Sequence, residues 1–428
     1  MGILLAILAL SFLIIIHELG HFLVAKAFNV KVNEFSLFMG PKIFSFVRGE
    51  TTYSLRLIPL GGYVKMEGEE EASDDDRAFN KKPIGVRAAI IAAGPIMNII
   101  IAVVFAFIIM AHSGFYTNQV KTVLPGSAGE KAGIQVGDVL EKYNGKNIYQ
   151  VNDLEIFAYP LTNESIDLQV SRNGESKTIS FKPDRMSGYK LGFSPKEENG
   201  SESNVVTNVS SKSPAMKAGV KDGDRIVKLN GTPVNSRQDI ANALDKIKLN
   251  NVTITVNRNG KDIELTPVVP MQGKNPEYYA IGVDFNHTKS GIFATLGQSV
   301  KYNISIARSI YYSIGWLFTG TVPASDLMGP VGITTTIKDV VQQGPSVMDK
   351  LLNLLSFTAM ISLNLGLVNL IPFPALDGSK LVLLLVEGIR KKPLSPEREA
   401  LISMIGFVFL IMLMIYATFN DILRIGRG

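Results

Sequence analysis

Apolar residues along this chain are concentrated in long, nearly uninterrupted runs rather than in the short alternating patterns of a soluble protein. A helix needs roughly 20 largely apolar residues to cross about 30 Å of hydrocarbon. The runs that reach this length are Ile3–Ala25, Ala88–Ala111, Leu351–Leu370 and Ala400–Phe419. The pattern therefore predicts a multi-pass membrane protein with about four α-helical spans.

The composition supports this prediction and narrows the chemistry. Of the 428 residues, 46% are hydrophobic, which is high for a soluble protein. The formal net charge of +5 is modest for this length, so a nucleic-acid-binding protein is not indicated. Cysteine is absent, which excludes disulfide bonds and thiolate metal ligands. Any metal site must therefore use histidine or carboxylate side chains.

Lysine and arginine indicate how the predicted helices are oriented. The segment between the first two runs is rich in both residues, whereas neither precedes the first run. Because short loops rich in these residues stay in the cytoplasm, this segment is predicted to be cytoplasmic. The loop at Lys380–Arg398 then lies on the same side, and both chain ends and the long Ser113–Lys350 region lie outside.

The segment Ile292–Phe318 is amphipathic rather than uniformly apolar. It either lies on the outer surface of the membrane beside the preceding region or forms a further span. Lys301 and Arg308 favour the first arrangement, because charged side chains are costly at membrane depth.

The region outside the membrane contains an internal repeat. The sequence SAGEKAGIQVGDVLEKYNGKNI from Ser127 aligns without gaps to SPAMKAGVKDGDRIVKLNGTPV from Ser213. Each copy predicts a short helix, a Gly-Asp turn, a strand and an Asn-Gly hairpin turn, and alternating strands follow. Two similar α+β domains are therefore predicted, at residues 116–196 and 203–287.

Both copies resemble PDZ domains of the bacterial protease type, on the Ala-Gly, Gly-Asp and Asn-Gly pairs that they share. This resemblance implies that a peptide is bound as an added strand, with its C-terminal carboxylate at a glycine-containing loop. The fragments KLGFSP and AIGVDF are expected to end the two copies, so Gly192 and Gly282 are the candidate loop residues. A spacer or size filter is the alternative to peptide capture.

Two histidines and a glutamate interrupt the first apolar run in the sequence HELGH. His17 and His21 are four residues apart, so on a helix both side chains can reach one ion, and Glu18 lies beside them. Neutral imidazole is a preferred zinc ligand, and a neighbouring carboxylate can take a proton from water. The alternative is a pair of histidines that end a membrane helix at the interface. Because the chain has only 4 histidines, the HExxH spacing favours a metal site.

A catalytic zinc site needs a third protein ligand, and the best candidate is Asp377 in NLIPFPALDGSK. It is the only acidic residue between Asp349 and Glu387, and an isolated carboxylate in apolar surroundings is costly without a cation. Pro372 and Pro374 would break the helix just before it, and irregular backbone at membrane depth is tolerated only inside protein or around water. A helix cap at the cytoplasmic surface is the alternative role for Asp377.

HELGH, NLIPFPALDG and the repeated modules between them resemble the bacterial site-2 protease family of intramembrane zinc metalloproteases. The likeness covers essentially the whole chain, including LIPLGGYVKM, AAGPIMN and LMGPVGI. It implies that His17, His21 and Asp377 hold Zn²⁺ and that Glu18 is the general base. Residues that match the substrate-positioning part of the family motif are Asn369, Pro372 and Pro374.

The stretches FSLFMGPKIFSF and TTYSLRLIPLGGYV are similar to the family's membrane-re-entrant β-hairpin. This resemblance implies that the hairpin pairs with an unwound strand of the substrate. Family members often have Gly-Phe-Gly where this chain has Phe38-Met39-Gly40, so Gly40 alone is retained as a candidate substrate-binding residue.

Together these features predict about four spans, a re-entrant β-hairpin and two PDZ-like domains, with membrane parts at residues 1–112 and 291–428. The implied activity is hydrolysis within membrane-spanning segments of single-span proteins, such as a shortened anti-sigma factor or a remnant signal peptide. The implied location is the bacterial plasma membrane, with the active site near its cytoplasmic side. Two other classes stay open: a membrane-anchored peptide-binding scaffold, and an HExxH protease that acts on soluble proteins at the membrane surface.

Overall fold

A computed structural model of the protein describes residues 2–69, 71, 73–159, 164–198, 201–210, 213–342, 346–392 and 395–427. The chain divides into two units, of which the first contains Met1–Phe115 with Lys289–Gly428 and the second contains Tyr116–Thr288.

The secondary structure is predominantly helical in the first unit and mixed in the second. The helices are α1 Gly2–Ala27, α2 Ile84–Ser113, α3 Ala128–Lys131, α4 Asn152–Phe157, α5 Pro214–Ala218, α6 Arg237–Ile247, α7 Ile292–Phe318, α8 Pro330–Gln342, α9 Val347–Asn369, α10 Asp377–Arg390 and α11 Pro396–Arg427. The strands are β1 Val32–Arg48, β2 Thr51–Met66, β3 Phe115–Val123, β4 Val139–Tyr143, β5 Lys146–Asn147, β6 Ile166–Arg172, β7 Glu175–Phe181, β8 Asp184–Lys190, β9 Phe193–Glu198, β10 Ser201–Val209, β11 Arg225–Leu229, β12 Thr232–Pro233, β13 Ile254–Arg258, β14 Lys261–Glu264, β15 Met271–Ala280 and β16 Val283–Thr288.

Helices α1, α2, α9 and α11 correspond to the four predicted spans. Within the described residues, the segments long and apolar enough to cross a membrane are Ile7–Ala27, Ile84–Ser113, Val347–Asn369 and Glu397–Leu423. Their ends follow local signals: Ser346 and Asp349 form a capping box at the start of α9, and Gly114, with φ of 83°, ends α2. The prediction of a multi-pass helical protein is confirmed.

Strands β1 and β2 form a sheet in which β1 is paired on more than one side. Next to the turn at Gly49, residues 44–48 of β1 pair with residues 51–55 of β2. Residues 35–37 of β1 align both with residues 53–55 and with residues 62–64. Residues 62–66 of β2 therefore lie on the side of β1 opposite to residues 53–55. The strands agree with the predicted hairpin, whereas its insertion into the membrane stays a prediction.

Helix α7 has an inverted distribution of polar and apolar side chains. Its buried residues are Thr295, Ser299, Asn303 and Ser305. Phe293 and Phe318 are 89% and 86% exposed, and Ile306 packs in a cluster with Ala102 and Leu363 from two candidate spans. One side of α7 therefore lies against α2 and α9. Its arrangement relative to the membrane, flat on the surface or spanning, stays a prediction.

The second unit contains two antiparallel sheets, each with its own hydrophobic core. One has the strand order β16-β3-β4-β6-β7, and the other has the order β14-β13-β11-β10-β9. Leu140, Leu168 and Val170 centre the first core, and Ile226 and Ile254 centre the second. Strands β8 and β15 pair with each other in a separate two-stranded ladder.

The predicted domain boundaries at 116–196 and 203–287 are wrong in one respect. Strand β16 belongs to the first sheet, and β9 belongs to the second. The second module is thus inserted between β7 and β16 of the first. The repeat itself stops before these strands, so aligning the two copies could not reveal which sheet each strand joins.

This nesting also exchanges the two glycines that were assigned to the modules. The carbonyl of Gly282 accepts a hydrogen bond from Leu124 N in the first module, and the carbonyl of Gly192 accepts the equivalent bond from Ser210 N in the second. Gly282 therefore belongs to the first copy and Gly192 to the second. Both have positive φ, and a Cβ on Gly282 would lie 2.6 Å from Oγ of Ser127, so glycine is required there.

Candidate metal centre

His17 and His21 lie one turn apart on α1, and both are buried, at 7% and 9% exposure. Their Nε2 atoms are 3.2 Å apart. Oδ2 of Asp377 lies 3.0 Å from Nε2 of His17 and 3.6 Å from Nε2 of His21. The three side chains that the sequence singled out as ligands are therefore brought to one point, and they form the one group in the described residues with metal-ligand geometry.

The orientation of His21 is fixed by helix α2. Nδ1 of His21 lies 2.8 Å from the carbonyl oxygen of Ile90. A carbonyl oxygen only accepts hydrogen bonds, so Nδ1 carries the imidazole proton and Nε2 presents a lone pair to the cluster. Pro95 lies within α2 and has no N–H, which removes one hydrogen bond of the helix close to this contact.

His17 has its own partner on α2. Nδ2 of Asn98 lies 3.2 Å from Nδ1 of His17, and Asn98 is completely buried. Ser362 on α9 donates a hydrogen bond of 2.8 Å to the carbonyl of Asn98. Contacts from α2 and α9 thus support the ligand that α1 supplies.

Asp377 is the first residue of α10 and its side chain is 18% exposed. The preceding loop contains Pro372 and Pro374, and it packs against Gly406 of α11. Helix α10 is tied to α2 by Arg87, whose guanidinium donates two hydrogen bonds, of 3.1 and 2.5 Å, to Glu387. The N-cap position of α10 is Leu376, and Asp377 follows it in the first turn with its carboxylate next to both histidines, which favours the role of ligand over that of helix cap.

Glu18 lies between the histidines and the β-sheet. Its Oε2 accepts a hydrogen bond of 3.1 Å from the backbone N–H of Val64 in β2. Gly62, two residues earlier, lets the strand pass this close: a Cβ there would lie 2.8 Å from the carbonyl oxygen of Ser36 and 3.9 Å from Cγ of Glu18. The carboxylate is thus held beside the cluster by the neighbouring strand.

Gly94 of α2 lies against both imidazole rings. A Cβ at this position would lie 2.6 Å from Cε1 of His21 and 2.9 Å from Nε2 of His17, and closer still to Nε2 of His21. Gly20 of α1 makes a similar approach to Ala93, where a Cβ would lie 2.8 Å from the carbonyl carbon. Small residues therefore set the separation of the two helices at the cluster.

The donor set fits a zinc ion. Two donors that each lie about 2.0–2.1 Å from a tetrahedral ion are roughly 3.3 Å apart. The three separations, 3.0, 3.2 and 3.6 Å, lie on either side of this value. Two imidazoles and one carboxylate are also a ligand combination of zinc hydrolases, which leave a further position open.

Comparison with known proteins agrees with this geometry. The profile of Peptidase family M50 matches residues 5–413. The chain belongs to peptidase family M50. This is the site-2 protease family, and the chain is accordingly a zinc metalloprotease.

Relatives within the family cover nearly the full length of the chain. The zinc metalloprotease RasP of Shouchella clausii is 32% identical, with 99% of this chain and 100% of that protein aligned. The regulator of sigma E protease of Haemophilus influenzae is 31% identical, with 98% of each chain aligned. The regulator of sigma-W protease RasP of Bacillus subtilis is 28% identical, with 96% of each chain aligned.

The other candidate residues occupy less central places. Asn369 is the last residue of α9, at the entrance to the proline-containing loop. Gly40 has φ of 84° in the bend of β1, where its carbonyl accepts a hydrogen bond of 2.7 Å from Arg56. Gly192 and Gly282 lie in the second unit. Their roles in this M50 protease stay predictions.

Two residues at the centre were not singled out from the sequence. Asn98 and Gly94 both lie in AAGPIMN, which the sequence analysis noted only as part of a family resemblance. A polar residue and a glycine within an otherwise apolar run were the available signals.

Proposed function

We propose that this M50 protease hydrolyses peptide bonds within the membrane-spanning segments of single-span proteins. The observation that carries the proposal is the convergence of His17, His21 and Asp377 on one point, with both histidines inside a candidate span. Water and base must be supplied by protein at such a position, because hydrocarbon provides neither.

In this proposal His17, His21 and Asp377 hold the zinc ion. When bound, zinc supplies Lewis acidity, which polarises a carbonyl group and makes water more acidic. Glu18 accepts the proton of the attacking water and then delivers it to the leaving amine. Its hydrogen bond to the N–H of Val64 keeps the carboxylate directed along the strand, beside the imidazoles.

The substrate is expected to bind as an added strand. A helix hides each carbonyl in a hydrogen bond within the helix, so a membrane-spanning substrate must unwind before it can be cleaved. Pairing with the edge of β2 at Gly62–Met66 would compensate for the lost hydrogen bonds. The N–H of Val64 points away from its β1 neighbour and towards Glu18, which supports this edge as the binding strand.

The class of substrate is inferred from the names of relatives. Two of them are regulators of sigma E and sigma-W, and regulation of a sigma factor by a membrane protease points to membrane-bound inhibitors of that factor. We therefore propose shortened anti-sigma factors, with remnant signal peptides as the second candidate. The lysine- and arginine-rich segment after α1 supports an active site near the cytoplasmic side of the bacterial plasma membrane.

The two modules of the second unit are proposed to act on the part of a substrate outside the membrane. Their matching glycine loops, at Gly192 and Gly282, support a PDZ-like capture of peptide carboxylates. A size filter that excludes substrates with bulky outer domains is the alternative, and the position of the modules between α2 and α9 in the chain suits either role.

The test measures zinc and proteolysis separately in the full-length protein. Asp377→Ala should lose both zinc and cleavage of a single-span reporter, because it removes a ligand. Glu18→Gln should keep one zinc per chain and lose turnover by orders of magnitude, because it removes only the proton acceptor. A scaffold would keep its peptide binding in both variants and cleave nothing. Cleavage near the wild-type rate by Glu18→Gln would exclude Glu18 as the base.

A further inference from the structure

Asn98 contacts His17 on the side of the imidazole that faces away from the cluster. Its Nδ2 lies 3.2 Å from Nδ1 of His17, and its side chain is completely buried. Oδ1 of the same carboxamide is buried and has no hydrogen-bond partner in the part of the chain that the structure describes. A buried amide oxygen without a partner is costly. An unused hydrogen-bond acceptor therefore lies beside a proposed zinc ligand.

This arrangement corresponds to one tautomer of His17. As placed, the carboxamide directs its NH₂ group at Nδ1 of His17, an orientation that suits a neutral imidazole with its proton on Nε2. From Nε2 that proton would be donated to Oδ2 of Asp377, which lies 3.0 Å away. In this tautomer Nε2 has no free lone pair. His21 is in the opposite tautomer, because its Nδ1 donates to the carbonyl of Ile90.

Zinc coordination through Nε2 requires His17 to move its proton to Nδ1. Nδ1–H would then face the NH₂ group of Asn98, and two donors repel. Half a turn of the carboxamide exchanges its oxygen and nitrogen, which have nearly the same size. The oxygen then accepts from Nδ1–H, and the unused acceptor gains a partner.

We propose that Asn98 is a positioning residue for zinc: through Oδ1 it accepts the Nδ1–H of His17 and holds the imidazole in the tautomer that binds metal. The inference rests on the proposed zinc site. Because a carboxamide offers a donor and an acceptor in one shape, Asn98 can partner either tautomer of His17. Ile90 can serve only one tautomer of His21.

The backbone of Asn98 is fixed by α9, so only the end of its side chain needs to turn. Ser362 donates to its carbonyl, and a Cβ on Gly366 would lie 3.3 Å from its Cβ. Substitutions of similar shape can therefore separate hydrogen bonding from packing. Leucine matches asparagine in shape and offers neither donor nor acceptor. Aspartate keeps an acceptor oxygen whether it is ionised or protonated.

The experiment measures zinc affinity of the full-length protein by competition with a chelator, with zinc alone as the probe. Asn98→Leu should weaken zinc binding by about 10- to 100-fold, the usual effect of losing a partner of a ligating histidine. Asn98→Asp should stay within a few-fold of wild type. Asn303→Leu is the matched control, since it makes the same change at a buried asparagine of α7 whose Nδ2 donates to the carbonyl of Ser299; its zinc affinity should not change.

The nitrogen chemical shifts of His17 supply a second measurement that packing alone would not move. In the zinc-loaded wild type and in Asn98→Asp, they should report a protonated Nδ1. Wild-type affinity in Asn98→Leu, or an equal loss in Asn98→Asp and Asn98→Leu, would overturn the inference. If Asp377→Ala also kept its zinc, the proposed metal site would fail; if only Asn98→Leu kept it, the site would stand without this role for Asn98.

Discussion

Alanine at position 94 should abolish zinc binding although it improves the local helix propensity. Glycine in a helix interior costs up to about 1 kcal/mol relative to alanine, so propensity alone predicts that Gly94→Ala is stabilising. The added Cβ, however, would lie 2.6 Å from Cε1 of His21 and 2.9 Å from Nε2 of His17. Carbon atoms in contact normally lie about 3.5–4.0 Å apart. Both rings, or the helix itself, must therefore move by roughly 1 Å.

Such a displacement is several times larger than a zinc site tolerates, because ligand distances are held within about 0.2 Å. We expect turnover to fall by about 100-fold or more, with a matching loss of zinc per chain. Gly85→Ala is the matched control: it lies in the same helix, is exposed, and a Cβ there would contact nothing within 4 Å. Zinc content, chelator competition and cleavage of a single-span reporter are measured on all three proteins. Wild-type affinity and turnover in Gly94→Ala would refute the steric reasoning.

Three other perturbations probe the sheet and the second unit. Burial alone would raise the pKa of Glu34, but hydrogen bonds from Ser54 and Arg56 lower it to about 2. Its stabilising contribution should therefore be complete above pH 4.5 and lost as the pH falls towards 2, as followed by hydrogen exchange in β1 and β2. Glu34→Gln should remove this pH dependence, and an unchanged profile would contradict the reasoning. Asp138→Asn should lower the free energy of unfolding of the first module by about 3 kcal/mol, because it breaks the ion pair of the buried Asp138 with Arg172. Hydrogen exchange of β3 and β4 measures this, and protection equal to wild type would count against it. If the modules are a size filter, replacing Gln119–Asn286 with a flexible linker should permit cleavage of full-length substrates. If they capture peptides, the same replacement should slow cleavage of shortened substrates. Unchanged rates for both substrates would exclude both roles.

The three residues of the proposed zinc site could be singled out because each one is encoded locally. The spacing of His17 and His21 places them on one helical face whatever the rest of the chain does. Asp377 was identified by its isolation in an apolar segment, since an unpaired carboxylate there needs a cation. Glu18 follows from its position between the histidines. None of these inferences requires knowledge of which helices are neighbours.

The supporting residues could not be predicted in the same way, because their roles exist only where helices meet. Asn98 is one polar residue in an apolar run until α1 is packed beside it, and Gly94 is one small residue among several. The insertion of the second module into the first could not be predicted, for a related reason. Strand β16 carries no signal that distinguishes pairing with β3 from pairing with the nearer module, so its place depends on contacts distant in sequence.

The geometry of the metal centre is set by helix packing as much as by the ligands. Gly20 lets α1 approach α2, and Gly94 lets α2 approach the imidazoles. Gly366 lets α9 approach α2, because a Cβ on this residue would lie 2.7 Å from the carbonyl oxygen of Pro95. Within lipid no hydrophobic force draws helices together, so close contact between small residues must hold them. The same contacts place Ile90 and Asn98 on the outer nitrogens of the two histidines. The interface between these helices is therefore also the structure that orients the proposed zinc ligands, and a bulkier residue at any of the three glycines acts on both.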